Sequence, residues 1–158
     1  MDRFELCENV GRQKALTAMS NIAFSNEEYY IKTTDRFCKW DFEIRLKGTN
    51  ELIAIVEAKD RQMASTDRRI VFGGVQLEAQ KYDTLVDIAQ KRNVDAYYLA
   101  TFTDGTYYIW NVVTSPVTED ERLCNKTTAE ENGKVMKHCY YFAKKDCELS
   151  GKFEETIA

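Results

Sequence analysis

The segment "WDFEIRLKGTNELIAIVEAKDR", residues 40–61, constrains the fold more than any other part of the chain. Two runs rich in apolar and β-branched residues flank a Gly-Thr-Asn sequence, which is typical of a β-hairpin. The same runs contain Asp41, Glu57 and Lys59. An unpaired charge inside a fold is costly, so these three side chains must have partners or a function.

The length of the turn decides where the charges point. A three-residue loop at 48–50 places Asp41 directly opposite Glu57, with their Cβ atoms about 5 Å apart on one face. A two-residue turn would place the two carboxylates on opposite faces. The three-residue loop is therefore predicted, and it leaves the other face entirely apolar, with Trp40, Phe42, Ile44, Leu46, Leu52, Ala54, Val56 and Ala58.

Two carboxylates at this spacing favour a bound cation. They repel each other, and one of them is driven towards protonation unless a positive charge lies between them. Carboxylate, carbonyl and water oxygens suit Mg²⁺ or Mn²⁺, and the chain has only one histidine, His138, for softer ions. Lys59 shares the face of Glu57 because side chains alternate along a strand. An ammonium group there can position a water molecule or stabilise charge on a phosphate.

The rest of the chain predicts helices packed on a mixed sheet. The first 24 residues carry apolar side chains at helical spacing, and "VQLEAQKYDTLVDIAQKRN", residues 75–93, predicts an amphipathic helix that stops at Asn93. "VDAYYLATF" and "TYYIWNVV" form a hairpin around Thr-Asp-Gly, and "RLCNKTT" and "KVMKHCYYF" suggest another. This order indicates an α/β fold with a mixed central sheet.

The length and composition indicate one globular domain. The chain has 158 residues, of which 44% are hydrophobic, so it can bury a single core. We expect a core over about residues 1–115 and a C-terminal hairpin and tail over about 116–158. Five cysteines without a C-x-x-C pair fit reduced thiols. The spacing of His138 and Cys139 relative to Cys124 and Cys147 fits no usual zinc pattern, and Cys139 is expected to face the core.

The charge pattern limits the partners. A formal net charge of −4 argues against coating of nucleic acid by bulk electrostatics, so a polyanion must be held by local basic groups. One such group follows the first hairpin in "KDRQMASTDRRI", and another lies between residues 122 and 145. No apolar run approaches the ~20 residues that span a bilayer, and the N-terminus lacks a signal-peptide pattern. We expect a cytoplasmic protein without a membrane partner.

Asp41, a turn, and Glu57-Ala58-Lys59 after "LIAIV" together resemble the motif of the PD-(D/E)XK nuclease superfamily. "GGVQLEAQKYDTL" followed by "YYLATFTDGTYYIWNV" is similar to a glycine-glutamine helix and hairpin in the nuclease domains of type I restriction motor subunits. The resemblance covers about residues 36–113. Trp40 replaces the proline of the family name, and the tyrosine of the helix motif falls at Tyr82, six residues after Gln76.

The resemblance implies a restriction-endonuclease-like core, with helices flanking a central mixed sheet, and here an extra C-terminal hairpin. It implies that Asp41, Glu57 and the backbone carbonyl of Ala58 hold Mg²⁺, for which Mn²⁺ can substitute. Lys59 then serves the attacking water.

Further residues are carried over by position and type. Members of the family often add an acid from the first helix, where Glu5 and Glu8 both qualify and Glu8 is preferred beside the apolar stripe. Gln76 occupies the place of the helix glutamine. Arg61, Arg68 and Arg69 follow the proposed catalytic strand and are predicted to bind the DNA backbone.

The sequence therefore predicts a Mg²⁺-dependent nuclease that hydrolyses phosphodiester bonds in DNA. The alternative is a non-catalytic module of the same fold that binds nucleic acid or a protein partner. An enzyme for a small phosphorylated molecule is disfavoured because the chain has no Gly-rich phosphate loop. DNA versus RNA, the structure of the substrate, and membership of a homodimer or a larger restriction, repair or recombination assembly stay open.

Overall fold

The computed structural model describes residues 3–20, 28–35, 37–125 and 134–153, with side chains outside 3–10, 20, 122–125 and 134. In chain order the elements are α1 (Arg3–Ser20), β1 (Tyr29–Thr33), β2 (Phe42–Leu46), β3 (Leu52–Asp60), α2 (Arg68–Gly73), β4 (Val75–Glu78), α3 (Ala79–Arg92), β5 (Asp95–Thr101), β6 (Thr106–Asn111), β7 (Thr118–Asn125), β8 (Lys134–Phe142), a 3-10 helix (Lys144–Asp146) and β9 (Leu149–Lys152).

The strands form two sheets, and the larger one is mixed as predicted. Its order is β1-β2-β3-β5-β6-β9, and β3 and β5 run parallel while the other neighbours are antiparallel. The crossover from β3 to β5 contains α2, β4 and α3. The smaller sheet is antiparallel, in the order β4-β8-β7. The fold is therefore α+β around a mixed central sheet.

Helices cover both faces of the large sheet. Ala15, Ala18 and Met19 of α1 pack with Phe42 and Val56 in one buried cluster. The other face has a second cluster, in which α3 and the small sheet join the large sheet through Leu85, Ala89, Ile55, Trp110 and Phe142. None of the described helices is long and apolar enough to span a membrane.

The first hairpin has the predicted register at its base and a different turn at its tip. Phe42 pairs with Val56, as predicted, and that pairing extends to Ile44 and Ala54. Beyond this point the register shifts, and Leu46 N donates to Glu51 O at 3.0 Å across a four-residue loop, 47–50. The prediction of a three-residue loop is therefore wrong, because a bulge absorbs one residue before the site.

The bulge also changes which side chains share a face. Phe42, Ile44, Ala54 and Val56 face α1, as the alternating pattern predicts. Leu52 instead packs against the cluster on the opposite side, because an extra residue between paired positions reverses the alternation. Trp40 lies in that same opposite cluster. The prediction of a single entirely apolar face is thus correct only for its central part.

The predicted helix over residues 75–93 is a strand followed by a helix. β4 occupies its first four residues, with Val75 and Leu77 buried on one side, and α3 follows directly. Asn93 ends the helix with a left-handed backbone conformation (φ 52°), as predicted. Gln76 consequently lies on a strand, and the prediction that places it on the helix is wrong.

The C-terminal region is bound into the rest of the molecule. The predicted strands of the second hairpin are present, and β7 pairs with β8, although the turn predicted between them lies outside the described residues. β8 also pairs with β4, and β9 returns to the large sheet beside β6. The described cysteine side chains, Cys38, Cys139 and Cys147, are reduced thiols, and Cys139 is buried as predicted.

Candidate active site

Asp41 and Glu57 line one cavity of about 330 Å³ between the first hairpin and α3. Asp41 directly precedes β2, and its amide donates to Val56 O at 2.9 Å. Val56 is also the partner of Phe42, so Asp41 is bonded to β3 one position short of Glu57, the partner that the sequence predicts. Its Oδ2 accepts a hydrogen bond from Ala58 N at 2.8 Å. This backbone contact crosses the hairpin and holds the Asp41 carboxylate beside β3.

Glu57 is a buried carboxyl group whose ionised form is disfavoured by its surroundings. Only 3% of the residue is exposed. Burial, and to a smaller extent the nearby negative charge of Asp41, raises the pKa of Glu57 to about 7 against the opposing effect of Lys81. The repulsion expected from the sequence is therefore present in the fold.

Lys81 belongs to the same constellation, although no sequence prediction names it. Its Nζ lies 2.8 Å from Glu57 Oε1, and it projects from the first turn of α3. Burial alone would lower the pKa of Lys81, but the Glu57 carboxylate outweighs it and the net pKa is raised. The sequence analysis misses this contact because it predicts a helix from residue 75, whereas α3 begins at Ala79.

Lys59 lies next to Lys81 in this cluster. Burial lowers the pKa of Lys59, and the positive charge of Lys81 lowers it further, while Glu57 acts in the opposite direction. Of the two lysines, Lys81 is thus the one held as an ammonium ion, and Lys59 is the one that loses a proton more readily. This is a suitable combination for proton transfer next to a carboxylate pair.

The oxygen atoms of the site fit a hard divalent cation. Asp41 Oδ1 and Glu57 Oε2 have no hydrogen-bond partner within the described part of the chain, while the other oxygen of each carboxylate is engaged. Among the described residues no group of three or more His, Cys, Asp or Glu side chains is arranged to hold a metal ion. A cation would therefore depend on these two carboxylates, a backbone carbonyl such as that of Ala58, and water, a ligand set that suits Mg²⁺.

Gln76 lies outside the cavity. Its backbone carbonyl accepts a hydrogen bond from the Tyr98 hydroxyl at 2.7 Å, and its side-chain nitrogen lies 3.1 Å from Cys139 Sγ. These contacts tie β4 to β5 and β8. The glutamine that lines the cavity is Gln80, next to Lys81 on α3.

The three predicted DNA-binding arginines lie in two different environments. The Arg61 guanidinium donates to the Tyr98 hydroxyl at 2.7 Å and to Gln76 O, so it points into the protein. Arg68 and Arg69 lie exposed on α2, where Arg69 pairs with Asp67 at 3.0 Å. Of the three, only the α2 arginines are placed on the surface.

The predicted acids of the first helix lie in α1, but the side chains of Glu5 and Glu8 are outside the described residues.

Comparison with known proteins adds no relative. No protein-family model matches the chain, and no curated protein and no solved structure matches it.

Proposed function

We propose that this chain is a metal-dependent nuclease of the PD-(D/E)XK type that hydrolyses phosphodiester bonds in DNA. The observation that carries the proposal is the buried Glu57, which shares a cavity with Asp41 and is contacted by Lys81. A charged cluster of this kind has no use in packing alone, and it disfavours the non-catalytic alternative.

The architecture supports the same proposal. A mixed sheet with helices on both faces agrees with a restriction-endonuclease-like core, and the β7–β8 hairpin agrees with the expected C-terminal addition. The hairpin that carries the Asp-Glu-Lys motif lies within this sheet.

Asp41, Glu57 and the Ala58 carbonyl would hold Mg²⁺. When bound, the ion supplies positive charge to the phosphate and acidifies nearby water. Water adds to phosphorus on the side opposite the leaving oxygen, the bond to that oxygen breaks, and the oxygen leaves with the electron pair and takes a proton from solvent. Lys59 orients the water and accepts its proton, and Lys81 favours the ionised form of Glu57 and fixes the direction of its carboxylate.

The direct test is cleavage of plasmid, linear, branched and single-stranded DNA with Mg²⁺, with Mn²⁺ and with chelator. Lys59→Ala should abolish cleavage and leave DNA affinity in Ca²⁺ within a few fold, because Lys59 acts in the transition state. Lys91→Ala, at an exposed lysine of α3, is the matched control and should cleave normally. Loss of affinity equal to the loss of cleavage would make Lys59 a phosphate anchor and contradict this role.

A second test addresses the metal without requiring activity. Calorimetric titration with Mn²⁺ should show binding that Asp41→Asn removes and that Asp83→Asn, at an exposed position on α3, retains. Unchanged binding in Asp41→Asn would overturn the proposed ligand set.

A further inference from the structure

A second cleft lies beside α2, and an exposed aromatic ring stands at its wall. The cleft has a volume of about 610 Å³ and is enclosed by α2, the segment after β6 and the 3-10 helix. Phe72 and Val71 line it and are 80% and 51% exposed. Large exposed apolar side chains that line a concave surface mark a binding site more often than an isolated exposed residue does.

One cation lies beside this ring, and two others line the same cleft. The Arg68 guanidinium carbon lies 5.9 Å from the centroid of the Phe72 ring, and Lys144 and Lys145 also line the cleft. Lys144 Nζ is held by a hydrogen bond of 2.9 Å to Ser65 O. Two lysines and one acid, Asp146, line the cleft, so its lining is net positive on a chain of net charge −4.

We propose that this cleft binds a single strand of nucleic acid, with a base stacked on Phe72 and the phosphates against Lys144 and Lys145. The proposal rests on the nuclease function above and names the part of the substrate that is recognised. An exposed ring beside cations offers the two contacts that single strands use, base stacking and backbone charge neutralisation. The stacked bases of an intact duplex leave no free face for such a ring.

The cleft is connected to the candidate active site through β4. Gly73 and Gly74 line the cleft immediately before β4, and Glu78 at the other end of β4 lines the cavity of Asp41 and Glu57. A strand of this length spans roughly 10 Å at about 3.3 Å per residue. The cleft and the cavity of the candidate active site therefore lie at opposite ends of one short strand.

The test places a reporter in the cleft. Trp40 and Trp110 are buried, so Phe72→Trp introduces an exposed indole whose fluorescence can be followed separately. In chelator, so that no cleavage occurs, an oligothymidine of about 12 nucleotides should quench the introduced indole saturably, and the affinity should fall as salt rises. Thr49→Trp, at an exposed position in the turn of the first hairpin, is the control and should not be quenched.

Two comparisons distinguish stacking of a base on Phe72 from non-specific binding of the oligonucleotide. Phe72→Leu should weaken binding of the oligonucleotide about tenfold or more, while Phe72→Tyr should retain it, because a base stacks on a ring and not on a branched alkyl group. A blunt duplex should quench the indole of Phe72→Trp much less than the single strand does. Absence of quenching, equal quenching in Thr49→Trp, or full affinity in Phe72→Leu would overturn the proposal.

Cleavage of the same oligonucleotide in Mn²⁺ distinguishes this proposal from the nuclease function. Quenching in Phe72→Trp without cleavage by the wild-type protein would support the cleft and contradict the nuclease. Cleavage without quenching would contradict the cleft and leave the nuclease standing.

Discussion

At the scale of single residues, Glu57 couples the site to the stability of the fold. Its pKa is about 7 in the folded protein and 4.5 in an ordinary environment. Between these values the folded state binds a proton that the unfolded state has released, so stability falls as pH rises through this window. The difference corresponds to about 3 kcal/mol at 1.36 kcal/mol per pKa unit, and the whole penalty is present above pH 7.

Replacement of Glu57 by glutamine should remove this pH dependence. We expect the free energy of unfolding of wild-type protein, relative to Glu57→Gln, to fall by up to about 3 kcal/mol between about pH 4.5 and pH 7 in the absence of divalent ions. Urea denaturation across this range measures it. Glu51→Gln, at an exposed carboxyl of the hairpin turn, should follow the wild-type profile. Parallel profiles for Glu57→Gln and wild type would contradict the burial of a titrating Glu57.

Lys81 should matter to cleavage although it is not part of the Asp-Glu-Lys motif. Because its Nζ contacts Glu57 Oε1 at 2.8 Å, Lys81→Met leaves the carboxylate less oriented and raises its pKa further. We expect cleavage to fall roughly 10- to 100-fold, as for other residues that orient a metal ligand, and Lys81→Arg to recover part of it. Lys91→Met, on the exposed side of the same helix, should leave the rate unchanged. A wild-type pH–rate profile in Lys81→Met would argue against this role.

The sequence can predict Asp41, Glu57 and Lys59 together because strand alternation determines which side chains share a face. It cannot predict Lys81, because that contact depends on where α3 begins and how it packs on β3. Arg61 is predicted as a surface group from its position in the chain. Its buried contacts with Tyr98 and the Gln76 carbonyl follow from the placement of β4, which local sequence does not encode.

At the scale of elements, the junction between α2 and β4 depends on Gly74. Its φ is +82°, and a Cβ atom at this position would lie 2.8 Å from the carbonyl oxygen of Phe142 in β8. The left-handed conformation and the close approach of two backbones both require glycine here. Glycine at this position therefore allows the small sheet to join the crossover.

Substitution of two glycines separates the conformational effect from the steric one. Gly105 has a similar φ of +77° in the β5–β6 turn, and a Cβ atom added there would have no described atom within 4 Å. We expect Gly105→Ala to destabilise the protein by about 1–2 kcal/mol and Gly74→Ala by clearly more, because only the latter adds a backbone clash. Urea denaturation of the two variants provides the measurement. Equal losses of stability would contradict the close packing of Gly74 on β8.

The type of an element is predictable where its alternating or helical pattern extends over many residues or where a turn or stop residue ends it. The hairpin of β5 and β6 and the end of α3 at Asn93 follow from turn and stop residues. β4 could not be predicted from the sequence. Its four residues alternate, with Val75 and Leu77 inward, but they are too few to outweigh the helical pattern that continues through α3. The bulge in the first hairpin could not be predicted because a four-residue loop with a bulge gives the same pairing of Phe42 with Val56 as a three-residue loop without one.

At the scale of the whole molecule, distant segments complete both sheets. β4 pairs with β8, and β9 pairs with β6, with the rings of Tyr107 and Phe153 5.5 Å apart. Such pairings join segments far apart in the chain, and no local pattern specifies them. The sequence predicts a core over about 1–115 and a tail over about 116–158. Strands of the second segment, β8 and β9, pair with strands of the first.

A fragment of residues 1–115 should therefore not fold stably. It lacks β8, which flanks β4, and it exposes the face on which Phe142 packs in the buried cluster. We expect its circular dichroism to show no cooperative thermal transition, whereas residues 1–153, which retain every described strand, should melt like the full chain. A cooperative transition in the shorter fragment would show that the large sheet is stable without its C-terminal partners.

The parallel pairing of β3 with β5 has a consequence for the order of folding. The β2–β3 hairpin closes through a short loop, whereas β5 can join β3 only after the crossover of residues 61–94 is in place. Contacts between near neighbours form faster than those that close a long loop. We therefore expect the carboxylates of Asp41 and Glu57 to come together before α3 packs and places Lys81 beside Glu57. The two carboxylates would then repel each other in the partly folded hairpin. Mn²⁺ should then accelerate refolding in stopped-flow fluorescence, and should do so less in Asp41→Asn.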